Sequence, residues 1–339
     1  MQPTPPADPP LYRIEDLRVV FGGEEGEVRA VDGVTFDIPR GQTVCVVGES
    51  GSGKSMTGRA MMRLLPRGAA LQAGVMQFNP AGATAIDMAG LDANGPAIRA
   101  LRGRHISLIS QEPMAALSPV HSIGQQMIPL IRRHLLMDAS AARAHAIAML
   151  EQVGIARASS RIDSYAFEFS GGMRQRVCIA MALACHPQLV IADEPTTALD
   201  VTTQANILDL LRDLQAKVGL SILFITHDLG VVAEMADKVV VMYLGRVVEQ
   251  GDARQIFHDP RHPYTRALLR SLPKLGAARS ARLETIRGMV PSNLERPSGC
   301  EFHPRCDHFL PGLCDTTTPT AEILSEGRMV RCLREGALS

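Results

Sequence analysis

The sequence lacks an excess of either charge: 35 lysines and arginines balance 35 aspartates and glutamates over 339 residues. A neutral chain has no global pull toward nucleic acid or acidic membranes, though a local basic patch stays open. No apolar run reaches the roughly 18 residues that a membrane-spanning helix needs, so membrane association is expected only through partners. The opening MQPTPPADPP has neither the basic start nor the apolar stretch and cleavage site of a secretory signal. Its prolines suggest a short disordered lead-in over residues 1–10, and the chain reads as cytosolic. The seven cysteines include no C-x2-C pair. Cys45, Cys178 and Cys185 stand singly in apolar surroundings and read as small core residues. Cys300, Cys306, Cys314 and Cys332 crowd the last forty residues, which in a cytosolic protein points to metal or redox chemistry more than to a disulfide framework. No solenoid repeat is present.

What is there is a chain that is 46% apolar and 21% charged, enough to bury a sizeable core in one or two domains. The runs 43–47, 189–192, 222–226 and 239–243 are short, continuous and rich in β-branched residues, as strands buried on both faces of a parallel sheet are. Between them Val177, Ala180, Met181 and Ala184, and again Ile207, Leu210, Leu211 and Leu214, recur at helical spacing. The alternation predicts an α/β fold with a mostly parallel sheet. Residues about 115–172 carry helical spacing without a convincing strand and predict a helical insertion. Beyond residue 250 the chain grows richer in proline, arginine and cysteine, which predicts a separate C-terminal element over 251–339.

Gly48-Glu49-Ser50-Gly51-Ser52-Gly53-Lys54-Ser55 fits the pattern G-x-x-x-x-G-K-S/T directly after a predicted strand and before a helix. Glycines let backbone N–H groups turn inward around phosphate oxygens, and the helix N-terminus adds a favourable dipole. Lys54 is expected on the β- and γ-phosphates and the Ser55 hydroxyl on Mg2+. The strand 189–192 runs into Asp193, placed for the metal, and Glu194, placed to polarise the attacking water. Phe169-Ser170-Gly171-Gly172-Met173-Arg174 follows the loop by about 120 residues. Ser170 reads locally as a helix N-cap, an account that leaves the double glycine unexplained.

Together these segments resemble the ATPase subunits of ABC transporters, whose signature is usually Leu-Ser-Gly-Gly-Gln; here Phe169 and Met173 replace the first and last residues. By the same resemblance Gln111 matches the glutamine that senses Mg2+ and the transport subunit. Asp200, after Ala198 and Leu199, matches the aspartate that communicates across a dimer. His227 matches the histidine that contacts the γ-phosphate, and Phe21, with Val28 as the alternative, matches the aromatic that stacks on adenine. The resemblance covers residues 11–250. It implies a P-loop NTPase (RecA-like) core, N-terminal antiparallel strands and a helical signature subdomain near 115–172. It also implies a head-to-tail pair of ATPase subunits, in which Ser170, Gly171, Gly172 and Met173 contact ATP held by the partner.

A narrower resemblance rests on Ser170-Gly171-Gly172-Met173, on His262-Pro263-Tyr264-Thr265-Arg266-Ala267-Leu268-Leu269 and on Phe302-His303-Pro304-Arg305-Cys306. These look like the oligopeptide/dipeptide importer branch. That branch implies a second, different ATPase subunit, two permeases and an extracytoplasmic binding protein, with the chain on the cytoplasmic face of the bacterial inner membrane. Di- or oligopeptides are the expected cargo; nickel, murein peptides, opines and oligosaccharides are alternatives, as is a non-transport ABC ATPase acting on DNA or ribosomes. Neutral charge and the lack of long coiled coils argue against nucleic acid. Some importers of this branch carry a [4Fe-4S] cluster where Cys300, Cys306, Cys314 and Cys332 stand, and four thiolates suit one. Zinc, four free thiols in packing roles, and a redox-sensing module remain open. His303 and His308 are expected to be structural.

Overall fold

The computed structural model describes residues 9–23, 26–72, 74–112, 116–196, 200–272, 285–324 and 328–335. Most of the expected lead-in lies outside these, as do Pro113, Ala198 and Leu199. In chain order the described strands are β1 (Tyr12–Gly23), β2 (Gly26–Ile38), β3 (Thr43–Val47), β4 (Ala69–Gln72), β5 (Val75–Phe78), β6 (Ile86–Asp87), β7 (Ile106–Ile109), β8 (Leu189–Asp193), β9 (Ser221–Thr226), β10 (Lys238–Tyr243), β11 (Arg246–Asp252), β12 (Glu322–Ile323) and β13 (Met329–Val330). The helices are α1 (Lys54–Met61), α2 (Pro96–Leu101), α3 (Ile123–Leu135), α4 (Ala139–Gln152), α5 (Ala158–Arg161), α6 (Gly171–Leu183), α7 (Val201–Val218), α8 (Leu229–Met235), α9 (Ala253–His258) and α10 (Pro263–Arg270). The fold is α/β. Its chain divides into two units, each assembled from separated stretches: 1–13, 37–42 and 77–224 in the first, and 14–36, 43–76 and 225–339 in the second.

In the first unit β7 and β8 pair in parallel, Ile106 opposite Leu189 and Ile109 opposite Ala192. All five residues of β8 are buried, which is why its sequence reads as an unbroken apolar run rather than an alternation. From α3 to α6 the described chain holds helices and no strand, the expected helical insertion. Ser122 caps α3 in a reciprocal box with Gln125, and Asp138 caps α4 by accepting from the Ala141 N–H; each satisfies an N–H that the helix itself leaves orphaned. Ile123, Met127 and Ile131 line the buried side of α3, and Ala142, Ala146, Met149 and Leu150 that of α4. Helix α7 buries Ile207, Leu208, Leu211 and Leu214 and stops at Gly219, whose φ of +65° suits a helix C-terminus.

In the second unit β10 lies between β3, parallel with Val239 opposite Cys45, and β11, antiparallel. The β10–β11 connection places both Leu244 and Gly245 at positive φ, +43° and +79°, the backbone a tight hairpin turn demands. Strand β1 pairs antiparallel with β4, Phe21 opposite Ala69. Cys45, Cys178 and Cys185 are buried, as their surroundings predicted, and burial pushes the Cys178 thiol up to about 12.

The C-terminal residues join this second unit through arginines. Two short strands extend its sheet, β13 on β11 and β12 on β13; runs of two residues carry no periodicity to read. Arg296 donates to Asp32 (2.9 Å), Glu301 (3.0 Å) and the carbonyls of Arg29 and Leu244 (2.6 and 2.7 Å). Arg328 donates to Glu249, which is fully buried, and to Asp259. A segment with few large apolar side chains is thus held by charge-assisted bonds, roughly twice as strong as neutral ones.

Candidate nucleotide-binding site

Strand β3 ends at Val47, and the loop 48–55 carries the chain into α1, which starts at Lys54. Gly48, Gly51 and Gly53 adopt φ of +153°, +80° and +93°. A Cβ at Gly48 would collide with the Met242 carbonyl, and one at Gly53 with that of Ala30; only glycine fits at either place. Lys54 is buried and donates to the carbonyls of Gly48 (2.8 Å) and Glu49 (3.0 Å). The Ser52 hydroxyl is buried without a hydrogen-bond partner, a group that an anionic oxygen in the loop would satisfy. The loop therefore offers a cation, an orphaned hydroxyl and a helix N-terminus together, and this set fits a phosphate.

His227 follows β9 and is exposed. Asp228 after it caps α8 by accepting from Gly230 (2.8 Å) and Val231 (3.4 Å). A small cavity of the second unit is lined by Val47, Gly48, Glu49, His227, Leu229 and Leu268. The structure so brings His227 to the start of the loop. Phe21 is half-buried at the pairing of β1 with β4.

The other residues expected at the nucleotide belong to the first unit. Asp193 closes β8 and is buried. Glu194 sits in the left-handed region at φ +46°, an uncommon conformation for a side chain with a Cβ and one that clusters at functional sites. Its carboxylate accepts from the Gln111 amide at 3.0 Å, a link across 83 residues that joins two separately expected residues. Ser170 caps α6, accepting from the Met173 N–H at 3.4 Å, and Gly171 is exposed. Asp200 caps α7 through Thr203, which donates both its N–H (2.9 Å) and its hydroxyl (2.7 Å). These bonds hold the Asp200 carboxyl below its ordinary range.

Cys300, Cys306, Cys314 and Cys332 line one small cavity of the second unit with His262, His303 and His308. The Cys300 N–H donates to the Cys314 carbonyl at 2.7 Å. Burial, with the neighbouring thiols adding to it, pushes Cys300 up to about 12 and Cys306 up to about 11. Sharing one cavity fits a four-thiolate donor set. Yet no group of three or more His, Cys, Asp or Glu among the described residues is arranged to hold a metal ion, so the expected cluster is not shown. His303 bonds the Cys300 carbonyl at 2.9 Å and stacks on Phe309, and the buried His262 caps α10 by accepting from the Tyr264 N–H at 3.1 Å.

Two family models match the chain: ABC transporter over residues 31–197, and oligopeptide/dipeptide transporter, C-terminal region, over residues 248–314. A putative peptide import ATP-binding protein of Brucella abortus is 47% identical over 331 residues, 96% of this chain and 97% of that one. The chain belongs to the ABC transporter family. The dipeptide transport ATP-binding protein DppD of Escherichia coli is 44% identical to this ABC chain over 322 residues, 95% and 96% of the two. The dimeric structure of MJ0796, a bacterial ABC transporter cassette, superimposes with a TM-score of 0.62 over 72% of this chain and 99% of the other, at 24% identity, and shares its fold.

Several residues at the ABC motifs escaped the sequence. A Cβ on Gly172 would stand 2.8 Å from the Thr203 methyl, so Gly172 and the Asp200 cap meet through Thr203. Arg174 ties α6 back to the Ala166 carbonyl at 2.8 Å. Arg305 and Tyr264 both hold Glu49. The two stood inside quoted runs, but nothing local says which distant residue they meet.

Proposed function

We propose that this ABC subunit binds and hydrolyses ATP to drive peptide import across a cytoplasmic membrane. The observation that carries the reading is the complete 48–55 loop with Lys54 buried at its helix start, in a chain 44–47% identical along its length to peptide import ATP-binding proteins. The loop Gly48, Glu49, Ser50, Gly51, Ser52, Gly53, Lys54 and Ser55 binds the phosphates through Lys54 and its backbone N–H groups other than that of Glu49, which donates to the Tyr264 hydroxyl, and Phe21 stacks on adenine. Ser55, Gln111 and Asp193 are the residues that would hold Mg2+, which would supply positive charge against that of the triphosphate. Glu194 takes a proton from the attacking water, with the Gln111 amide fixing its carboxylate, and His227 contacts the γ-phosphate. Ser170, Gly171, Gly172 and Met173 complete the ATP site of a second ATPase subunit, and Asp200 communicates with it.

The assembly comprises that second subunit, two permeases and an extracytoplasmic binding protein, with no nucleic acid. No helix among the described residues is long and apolar enough to cross a membrane, in keeping with a peripheral position on the permeases' cytoplasmic side. Cys300, Cys306, Cys314 and Cys332 are the residues that would hold a [4Fe-4S] cluster.

Glu194→Gln removes the base and keeps the binding groups. It is expected to retain ATP while turnover falls by about a hundredfold or more. Phosphate release at the wild-type rate would overturn the role of Glu194, and peptide-independent ATP use in the reconstituted transporter would overturn the cargo.

A further inference from the structure

Glu49 is the second residue of the phosphate loop, a position its pattern leaves free, and it is anchored through backbone and side chain alike. Its backbone N–H donates to the Tyr264 hydroxyl at 2.9 Å. Its carbonyl accepts from Lys54. Its carboxylate receives both terminal nitrogens of Arg305, at 2.7 and 3.0 Å, a bidentate pair between residues 256 apart. Arg305 is itself almost wholly buried, at 4% side-chain exposure against 28% for Glu49. It donates through Nε to the Arg287 carbonyl at 3.0 Å and lies over the Tyr243 ring at 5.9 Å. Tyr264 is fully buried, its ring 4.8 Å from Tyr243 and 5.3 Å from Phe302. The two distant anchors, Arg305 and Tyr264, are thus themselves buried, and both come from the C-terminal residues of the same unit.

A glycine-rich loop is costly to order, because its residues surrender more backbone freedom than any others. If that cost falls at the moment of binding, it is subtracted from affinity; if the loop is already fixed, it is not. We propose that Arg305 and Tyr264 are positioning residues for ATP, holding the phosphate loop through Glu49 in its receptive form before nucleotide arrives. The inference rests on the loop being the ATP site. It assigns to the C-terminal element a part in nucleotide affinity, beyond any cargo or cluster it serves.

The test is ATP binding to the full chain, with KM and kcat, for Arg305→Gln, Glu49→Gln, the double variant, Tyr264→Phe and Lys54→Ala. A lost charge-assisted pair predicts that Arg305→Gln and Glu49→Gln each raise the dissociation constant and KM about tenfold. For Arg305→Gln the value of kcat at saturating ATP stays within about twofold, since Arg305 touches no reacting atom. The double variant loses no more than either single one, because both remove the same contact. Should Arg305→Gln fail to fold, Tyr264→Phe decides: it keeps the buried ring, loses only the hydroxyl that holds the Glu49 N–H, and is expected to raise the dissociation constant and KM. Wild-type affinity in these variants, a fall in kcat with KM unchanged, or additive losses in the double variant would overturn the inference. Wild-type ATP affinity in Lys54→Ala would instead sink the assignment of the loop itself, so the two failures stay distinct.

Discussion

Asp32 is 7% exposed and accepts from Arg246 (2.8 Å) and Arg296 (2.9 Å). Burial alone would raise its carboxyl, but the two guanidiniums outweigh that and hold it below the ordinary value. Asp32→Asn leaves two arginines facing a neutral amide, and removing one partner of a buried pair costs about 3–5 kcal/mol. Urea unfolding of the two proteins at neutral pH measures it. A depressed carboxyl contributes stability above its unfolded value of 3.8, and that contribution is lost as pH falls through the folded value. The stability gap between wild type and Asp32→Asn therefore closes in acid, below about pH 4. An equal gap at low pH would show that the charge is not what Asp32 supplies. Nothing in the sequence marks Asp32 as buried, because its partners lie 214 and 264 residues away.

Among the elements, α6 shows a motif residue in a packing role. Alanine normally gains about 1 kcal/mol over glycine within a helix. Gly172→Ala loses that gain, since its methyl meets Thr203 at 2.8 Å and Thr203 is both stiff at χ1 and bonded to Asp200. A net destabilisation of about 1–2 kcal/mol is expected. Adding Thr203→Ser removes the methyl and keeps the capping hydroxyl, so the double variant should recover the loss; thermal melting of the three proteins decides. The elements legible in the sequence were those with a local signature. Buried parallel strands announce themselves by composition, as β3 and β8 do, and the phosphate loop by its fixed spacing. What stayed hidden rests on contacts between distant residues. The Gln111–Glu194 bond, the Gly172–Thr203 approach and the grip on Glu49 need the fold before they exist. The two-residue β12 and β13 are too short to have a period.

For the molecule as a whole, composition separates the last ninety residues from the rest, whereas their contacts join them to the phosphate loop in one unit. The proposed [4Fe-4S] cluster is tested by anaerobic purification: if Cys300, Cys306, Cys314 and Cys332 hold it, the chain is brown with about four iron atoms and Cys306→Ser loses both, whereas colourless, iron-free protein overturns it. Colourless protein with stoichiometric zinc would reverse the choice of metal.

The 256 residues between Glu49 and Arg305 also set an order of events at the ribosome. At about 5–20 residues per second, on the order of ten to fifty seconds pass between synthesis of the loop and synthesis of its clamp. Through that interval the nascent chain carries a phosphate loop still free of its Arg305 anchor. Tight nucleotide capture then belongs to nearly finished chains, and a prematurely terminated one is left a poor competitor for ATP.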